Sequence, residues 1–160
     1  MVRYNSPGVG KGNLVKTFSN FGPDFTITFN MKITKLPFGW HNVLHLTTGL
    51  SCCEEGSRIP GLWLNSDSGK PFLHTDIGMT RPLQRLLKYT LEMNKQYHIE
   101  LVLAAGIFTL RINGDEVWQV RAGIATYKDV KYYWSSPWVA SAGEVAVLSM
   151  PNIQQGGLML

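Results

Sequence analysis

From Phe25 to Ile33 apolar and polar residues alternate without a break. Phe25, Ile27, Phe29, Met31 and Ile33 fall on one side, and Thr26, Thr28, Asn30 and Lys32 on the other. A two-residue period marks a strand with one face in a core and the other in water. The texture returns in residues 106–120, where Ile107, Phe108, Leu110 and Ile112 lead into Asn113-Gly114 and Val117, Trp118 and Val120 lead out. Asn-Gly accepts the positive φ angles of a type I′ turn, so this stretch predicts a β-hairpin. Further strands are expected at 14–18, 40–48, 61–65, 71–75, 97–103, 130–134 and 144–150, with the Asn65 to Pro71 segment turning one hairpin.

Residues 81–93 fit two patterns. Leu83, Leu86, Leu87 and Leu91 match helical spacing, whereas Leu87, Tyr89 and Leu91 share a strand face. The turn at Asn94-Lys95 and the β-rich run behind it favour a strand over 86–92. About ten short strands, with turn signals roughly every 8–12 residues, predict an all-β sandwich or barrel. The first twenty residues, rich in Gly, Asn and Ser, read as an irregular arm that ends in the 14–18 strand. No repeat or linker divides the rest, so residues 1–160 read as a single β-sandwich domain.

Composition agrees and narrows the function classes. At 160 residues, 44% of them hydrophobic, the chain can bury about two-thirds of its unfolded surface. A charged fraction of 16% with sixteen Gly, seven Phe, six Tyr and five Trp suits a sandwich better than a helical protein. The net charge of +4 comes from basic residues dispersed along the chain, without the patch or module of a nucleic-acid binder. No run approaches the roughly 18 apolar residues of a membrane span. The N-terminal residues lack the apolar region of a signal peptide. Either the chain is made without a secretion signal, or it is a domain cut from a longer extracellular protein.

The two cysteines, Cys52 and Cys53, are neighbours. Adjacent Cα atoms lie about 3.8 Å apart across a trans peptide, closer than an ordinary disulfide tolerates. Free thiols, a vicinal disulfide and a bridge to another chain all stay open. No His or Cys follows at zinc-finger spacing.

The C-terminal half resembles a known family. Tyr97-His98-Ile99-Glu100-Leu101-Val102, followed by Gly106-Ile107-Phe108-Thr109-Leu110-Arg111-Ile112-Asn113-Gly114, is similar to the strand and hairpin of the laminin G-like branch of the concanavalin A-like lectin superfamily. Val130 to Trp138 with Gly143-Glu144-Val145, and His45 to Gly49 with Gly56 to Trp63, extend the likeness over about residues 20–150. The resemblance implies an antiparallel jelly-roll of two stacked sheets, with ligands bound on the concave sheet or at rim loops. It implies an extracellular setting; the non-catalytic expectation rests instead on the absence of a catalytic signature. The His-Phe-Asn-Pro-Arg strand of galectins, the metal-binding acidic loop of legume lectins and the Glu-x-Asp-x-x-Glu strand of related hydrolases are all missing. Hydrolysis by two carboxylates therefore lacks its machinery.

Candidate ligand contacts follow from sugar chemistry. A sugar offers an apolar C–H face and a rim of hydroxyls, which an exposed aromatic and nearby polar side chains can match. Trp40 or Trp63 would supply the stacking face, and Arg58, Asn65, Asp67 and His74 the polar contacts. Core packing is the simpler role for Trp63 and Trp118, which sit mid-strand among apolar neighbours. Trp134 and Trp138 flank a Ser-Ser-Pro turn. Arg58 could equally pair with Glu54 or Glu55. Domains of the laminin G-like type often hold calcium at a rim through Asp and Asn, which makes Asp67 and Asn65 the metal candidates here. His41 and His45, four apart on one strand, should face the same side, but two imidazoles alone make a weak metal site.

The expected function is thus a non-catalytic, lectin-like domain recognising a glycan or glycoprotein. The alternatives are a protein–protein adhesion or matrix module on the same sandwich and, third, an enzyme such as a glycan lyase or hydrolase. Self-association through a sheet edge fits either binding role.

Overall fold

The computed structural model describes residues 12–80 and 82–156, so the start of the expected arm, residues 1–11, lies outside it. The strands follow in the order β1 (Leu14–Phe21), β2 (Phe25–Ile33), β3 (His41–Thr47), β4 (Gly61–Asp67), β5 (Lys70–Ile77), β6 (Gln84–Thr90), β7 (Gln96–Ala104), β8 (Ile107–Ile112), β9 (Asp115–Arg121), β10 (Tyr127–Tyr133), β11 (Ala140–Ser141), β12 (Ala146–Leu148) and β13 (Asn152–Gln155). They form two sheets. A seven-stranded sheet runs β1-β10-β3-β4-β5-β6, with β11 beside β3. A six-stranded sheet runs β12-β2-β7-β8-β9, with β13 beside β2. Every pairing is antiparallel except the short contact of β11 with β3.

The alternation in β2 does what it predicts. Its five apolar residues are buried and the four between them half-exposed. They meet Leu44, Leu46, Leu62, Leu64 and Leu73 of the seven-stranded sheet across a core that also holds Phe21, Phe25 and Phe108. The aromatic rings of Phe21 and Phe25 stack 5.1 Å apart in a tilted pair. Between β8 and β9, Asn113 and Gly114 take φ angles of 52° and 86°, the left-handed values a type I′ turn requires.

Two local readings change and an ambiguous one is decided. The strand at the end of the arm continues to Phe21, because its backbone pairs with β10 and only Phe18 and Phe21 turn inward. The strand favoured over 86–92 is present as β6, Gln84–Thr90, the edge strand beside β5, and the helical spacing of the leucines is not used. In β3 the register shifts between Asn42 and Leu44. His41 pairs with Leu64 and His45 with Gly61, three residues apart on β4, so the two histidines lie on opposite faces rather than on the same one.

The outer face of the seven-stranded sheet is not bare. All seven residues of β3 are buried. The 48–60 loop folds back along β3, with the Ile59 amide donating to the Leu46 carbonyl and the Leu46 amide to Pro60. The segment after β10 brings Trp138 over His45 at a ring distance of 5.4 Å. Among the described residues no helix is long and apolar enough to cross a membrane.

Candidate functional site

One register row crosses five strands of that face. Tyr133 on β10 pairs with His45 on β3, His45 with Gly61 on β4, Gly61 with Asp76 on β5, and Asp76 with Arg85 on β6. Residues paired across a ladder point the same way, and so do residues two apart on one strand. Trp63 and His74, each two residues from that row, therefore join its face, with Leu62, Leu64 and Leu73 turned into the core. Gly61 is required where it stands. The Trp63 indole lies across it, and a Cβ at residue 61 would overlap the ring.

Asp76 organises the polar side of the site. It is 0% exposed and meets three cationic or proton-bearing groups. Arg58 forms an ion pair with its Oδ2, His74 Nε2 lies 2.8 Å from Oδ1, and Arg85 Nε lies 3.5 Å from Oδ1. Burial pushes the carboxyl upward. The hydrogen bonding and charge of His74 and Arg58 outweigh that push and hold it below the usual carboxylate range. His74 Nδ1 faces the Leu87 carbonyl at 3.1 Å. Both neighbours of the His74 ring are acceptors, one a carboxylate and one a backbone carbonyl. With two arginines on one carboxylate, the cluster carries net positive charge even before His74 is counted.

The walls are aromatic. Arg58 stacks over Trp63 at 4.3 Å from the ring centroid. The His74 ring meets Trp63 at 5.8 Å and Trp40 at 5.2 Å, both edge-on. Trp40 stays 46% exposed. Trp40, Arg58, Trp63, His74, Arg85 and Val139 enclose an open cleft of about 240 Å³. That is smaller than the roughly 300–1,000 Å³ that encloses a drug-sized ligand. It has room for a single ring-sized group.

His45 sits behind Trp63 and Trp138, 5.4 Å from each ring and only 1% exposed. Its Nε2 lies 2.7 Å from the Ser57 carbonyl, so that nitrogen donates and Nδ1 keeps its lone pair without a hydrogen-bond partner. Burial first, then the neighbouring Arg58, lower its pKa to about 4, against the Ser57 bond and Asp76 pulling upward. His45 is therefore neutral at neutral pH.

Of the residues the sequence singled out, Trp40, Arg58, Trp63 and His74 meet in the cleft. Arg58 pairs with Asp76 rather than with Glu54 or Glu55, because the 48–60 loop delivers its guanidinium over β5. Trp63 is buried yet forms a wall of the site, and Trp118 packs edge-on against Phe108 in the other sheet. Asn65 and Asp67 lie farther along β4, towards its turn. There the Asn65 side chain accepts from the Ser66 amide, and Lys88 and Ser68 engage Asp67. His41 faces Glu144 at 3.6 Å. No group of three or more His, Cys, Asp or Glu side chains placed to hold a metal occurs among the described residues. Cys52 and Cys53 are joined to each other by a disulfide, and their peptide bond is cis. Asp76 and Arg85 were missed. Asp76 continues the alternation of His74 one step past the expected strand end, which is the signal that could have found it. Arg85 falls in the stretch where helix and strand competed.

No protein-family model matches this chain, and no curated protein matches it in sequence. Solved structures do match in fold. A heptameric SAP-like pentraxin from Limulus polyphemus aligns with a TM-score of 0.59 at 11% identity, over 96% of this chain and 76% of that one. An alginate lyase from Alteromonas sp. 272 aligns with a TM-score of 0.55 at 4% identity, over 83% of this chain and 73% of that one. The alginate lyase A1-II′ of polysaccharide lyase family 7 aligns at 0.55 and 15% identity, over 87% and 66%. Identities this low establish architecture alone. The chain is an all-β sandwich of two antiparallel sheets, with the jelly-roll architecture of these neighbours. The expectation of a non-catalytic lectin or adhesion domain is corrected at this point. It rested on a fold resemblance and the absence of a catalytic signature, and the same sandwich is the scaffold of several polysaccharide lyases, which are enzymes.

Proposed function

We propose that this domain acts on an acidic polysaccharide, a chain containing uronate rings, by β-elimination at the Trp40–Arg58–Trp63–His74–Arg85 cleft. The observation that carries this reading is the buried Asp76 holding two arginines and His74 beside an exposed tryptophan. Such a cluster is cationic and held in place before any ligand arrives. Its outward-facing member is Arg85, whose side chain is 42% exposed. A planar guanidinium matches a carboxylate in two parallel hydrogen bonds. Trp40 offers its face to the C–H side of an adjoining ring. The alginate lyases that share the fold lend support, since alginate is a polymer of uronates.

Elimination requires three things of a uronate. Its carboxylate must be neutralised so that the adjacent C–H becomes acidic, a base must take that proton, and the glycosidic oxygen must leave protonated. Arg85 and Arg58 supply the first, as fixed positive charge where negative charge develops. The base we assign is His45 Nδ1, an unprotonated nitrogen with no other partner. Trp138 covers it and has to swing aside for a sugar to reach it. The leaving oxygen takes its proton from solvent at the open mouth of the cleft, because both His74 nitrogens are engaged, one by Asp76 and one by the Leu87 carbonyl.

The test is to incubate the protein with alginate and, as a control, with a neutral glucan. The readout is the ultraviolet absorbance of the conjugated alkene that elimination leaves. Absorbance that grows with alginate, is lost in His45→Gln with binding kept, and is lost with binding in Arg85→Gln supports the proposal. No alkene and no retention on an alginate affinity gel overturns it.

A further inference from the structure

We propose that the Cys52–Cys53 disulfide is a redox modification site, reduced by a dithiol, that sets the charge of the cleft; the consequence for ligand rests on reading that cleft as an anion site. Three consecutive residues of the 48–60 loop hold both arginines. The Ser51 carbonyl accepts from Arg58 Nε at 3.0 Å. Arg85 Nη2 lies 3.7 Å from Cys52 Sγ and 3.4 Å from Cys53 Sγ. Arg85 is thus shared between the disulfide and Asp76. Cys53 is exposed and Cys52 half-buried, so a reductant can reach the pair. None of residues 49–58 belongs to the hydrophobic core, and Cys52 to Glu55 are half-buried or exposed.

The exchange proceeds by attack of a dithiol on one of the two sulfurs, through a mixed disulfide. The Cys52–Cys53 bond breaks, the reductant closes its own disulfide, and two electrons with two protons pass to the cysteines. A disulfide is neutral and accepts weakly from a guanidinium. A thiol beside that guanidinium ionises at lower pH than a free one, releasing its proton to solvent. The resulting thiolate pairs with Arg85 and cancels the charge that Asp76 leaves over. The carboxylates of Glu54 and Glu55 in the same loop are exposed, and Glu55 accepts from the Tyr127 hydroxyl at 2.9 Å, while Arg58 and Arg85 pair with Asp76. The oxidised cleft is cationic and the reduced cleft close to neutral. By linkage, an anion in the cleft favours the disulfide.

The first arm of the test uses no sugar. The protein is equilibrated in dithiothreitol buffers of graded ratio and its free thiols are counted, for wild type, Arg85→Gln and Arg85→Lys. Loss of the cation should make the pair harder to reduce, by on the order of tenfold in equilibrium constant. Arg85→Lys should restore most of that. Equal equilibria for wild type and Arg85→Gln overturn the proposal. The second arm measures affinity for an oligoalginate before and after reduction, with Cys52→Ser/Cys53→Ser as the protein that cannot respond. Reduction should weaken wild-type binding by on the order of tenfold. Unchanged affinity overturns the proposed effect on the cleft. If neither redox form binds oligoalginate, the functional reading fails, and the sugar-free arm still decides whether Arg85 tunes the disulfide.

Discussion

Acid should destabilise this protein through His45 in a way that can be isolated. The native ring has a pKa of about 4, against 6.5 for an ordinary imidazole. The shift is downward, so the native state binds the proton more weakly than the unfolded chain. The stability linked to His45 is complete above the unfolded pKa of 6.5 and falls as pH drops from there towards 4. Integrated from about pH 7.5 to about pH 5, the loss is about 2 kcal/mol. For a domain of this length that corresponds to roughly 4–8 °C in melting temperature. The assay is urea denaturation at a series of pH values, on wild type and on His45→Gln. Glutamine keeps a donor for the Ser57 carbonyl and does not titrate. His41, His74 and His98 are present in both proteins and cancel in the difference. Asp76 does not intrude, because its carboxyl is held low and titrates below the window. Wild type should lose about 2 kcal/mol more than the variant over this range. Parallel losses would refute the claim that His45 is buried as the neutral ring.

Two substitutions test the frame of the site. Gly61→Ala puts a methyl group where the Trp63 indole lies, and overpacking of this kind costs about 1–3 kcal/mol; thermal melting should show it, together with a change in tryptophan fluorescence as Trp63 is displaced. Asp76→Asn leaves Arg58 and Arg85 without their counter-ion. Loss of one partner of a buried pair costs roughly 3–5 kcal/mol, and the partial exposure of Arg58 places the expected loss near the low end. An unchanged melting temperature in Asp76→Asn would show that the carboxylate does not organise the cluster.

The architecture was legible because burial acts on a period of two. Phe25 to Ile33 and the 106–120 hairpin need nothing beyond their own side chains to declare themselves. The cleft was legible in part. Trp40, Arg58, Trp63 and His74 stood out as residue types suited to a sugar, and the structure gathers all four. Asn65 and Asp67 drew attention for the same chemical reason. They sit two and four residues beyond Trp63 on β4, and so end near the turn. Asp76 and Arg85 stayed hidden because their meaning is relational. A lone aspartate at a strand end and an arginine in an ambiguous leucine-rich stretch acquire a role only through the pairing of β5 with β6. The bulge after His41 escaped for a related reason. It is set by pairing with β4, and it alone decides that His41 and His45 part company.

The two halves of the cleft are anchored in unlike ways. His45, Trp63, His74 and Asp76 belong to strands hydrogen-bonded on both sides, where an amide opens to solvent only when much of the sheet comes apart. Cys52 and Cys53, with Glu54 and Glu55, belong to the outer turn of a loop outside both sheets, where amides open at a smaller cost. In deuterium exchange the first group should follow global unfolding while the second exchanges early. The protein can therefore loosen its grip on a bound chain without melting the surface on which that chain lies.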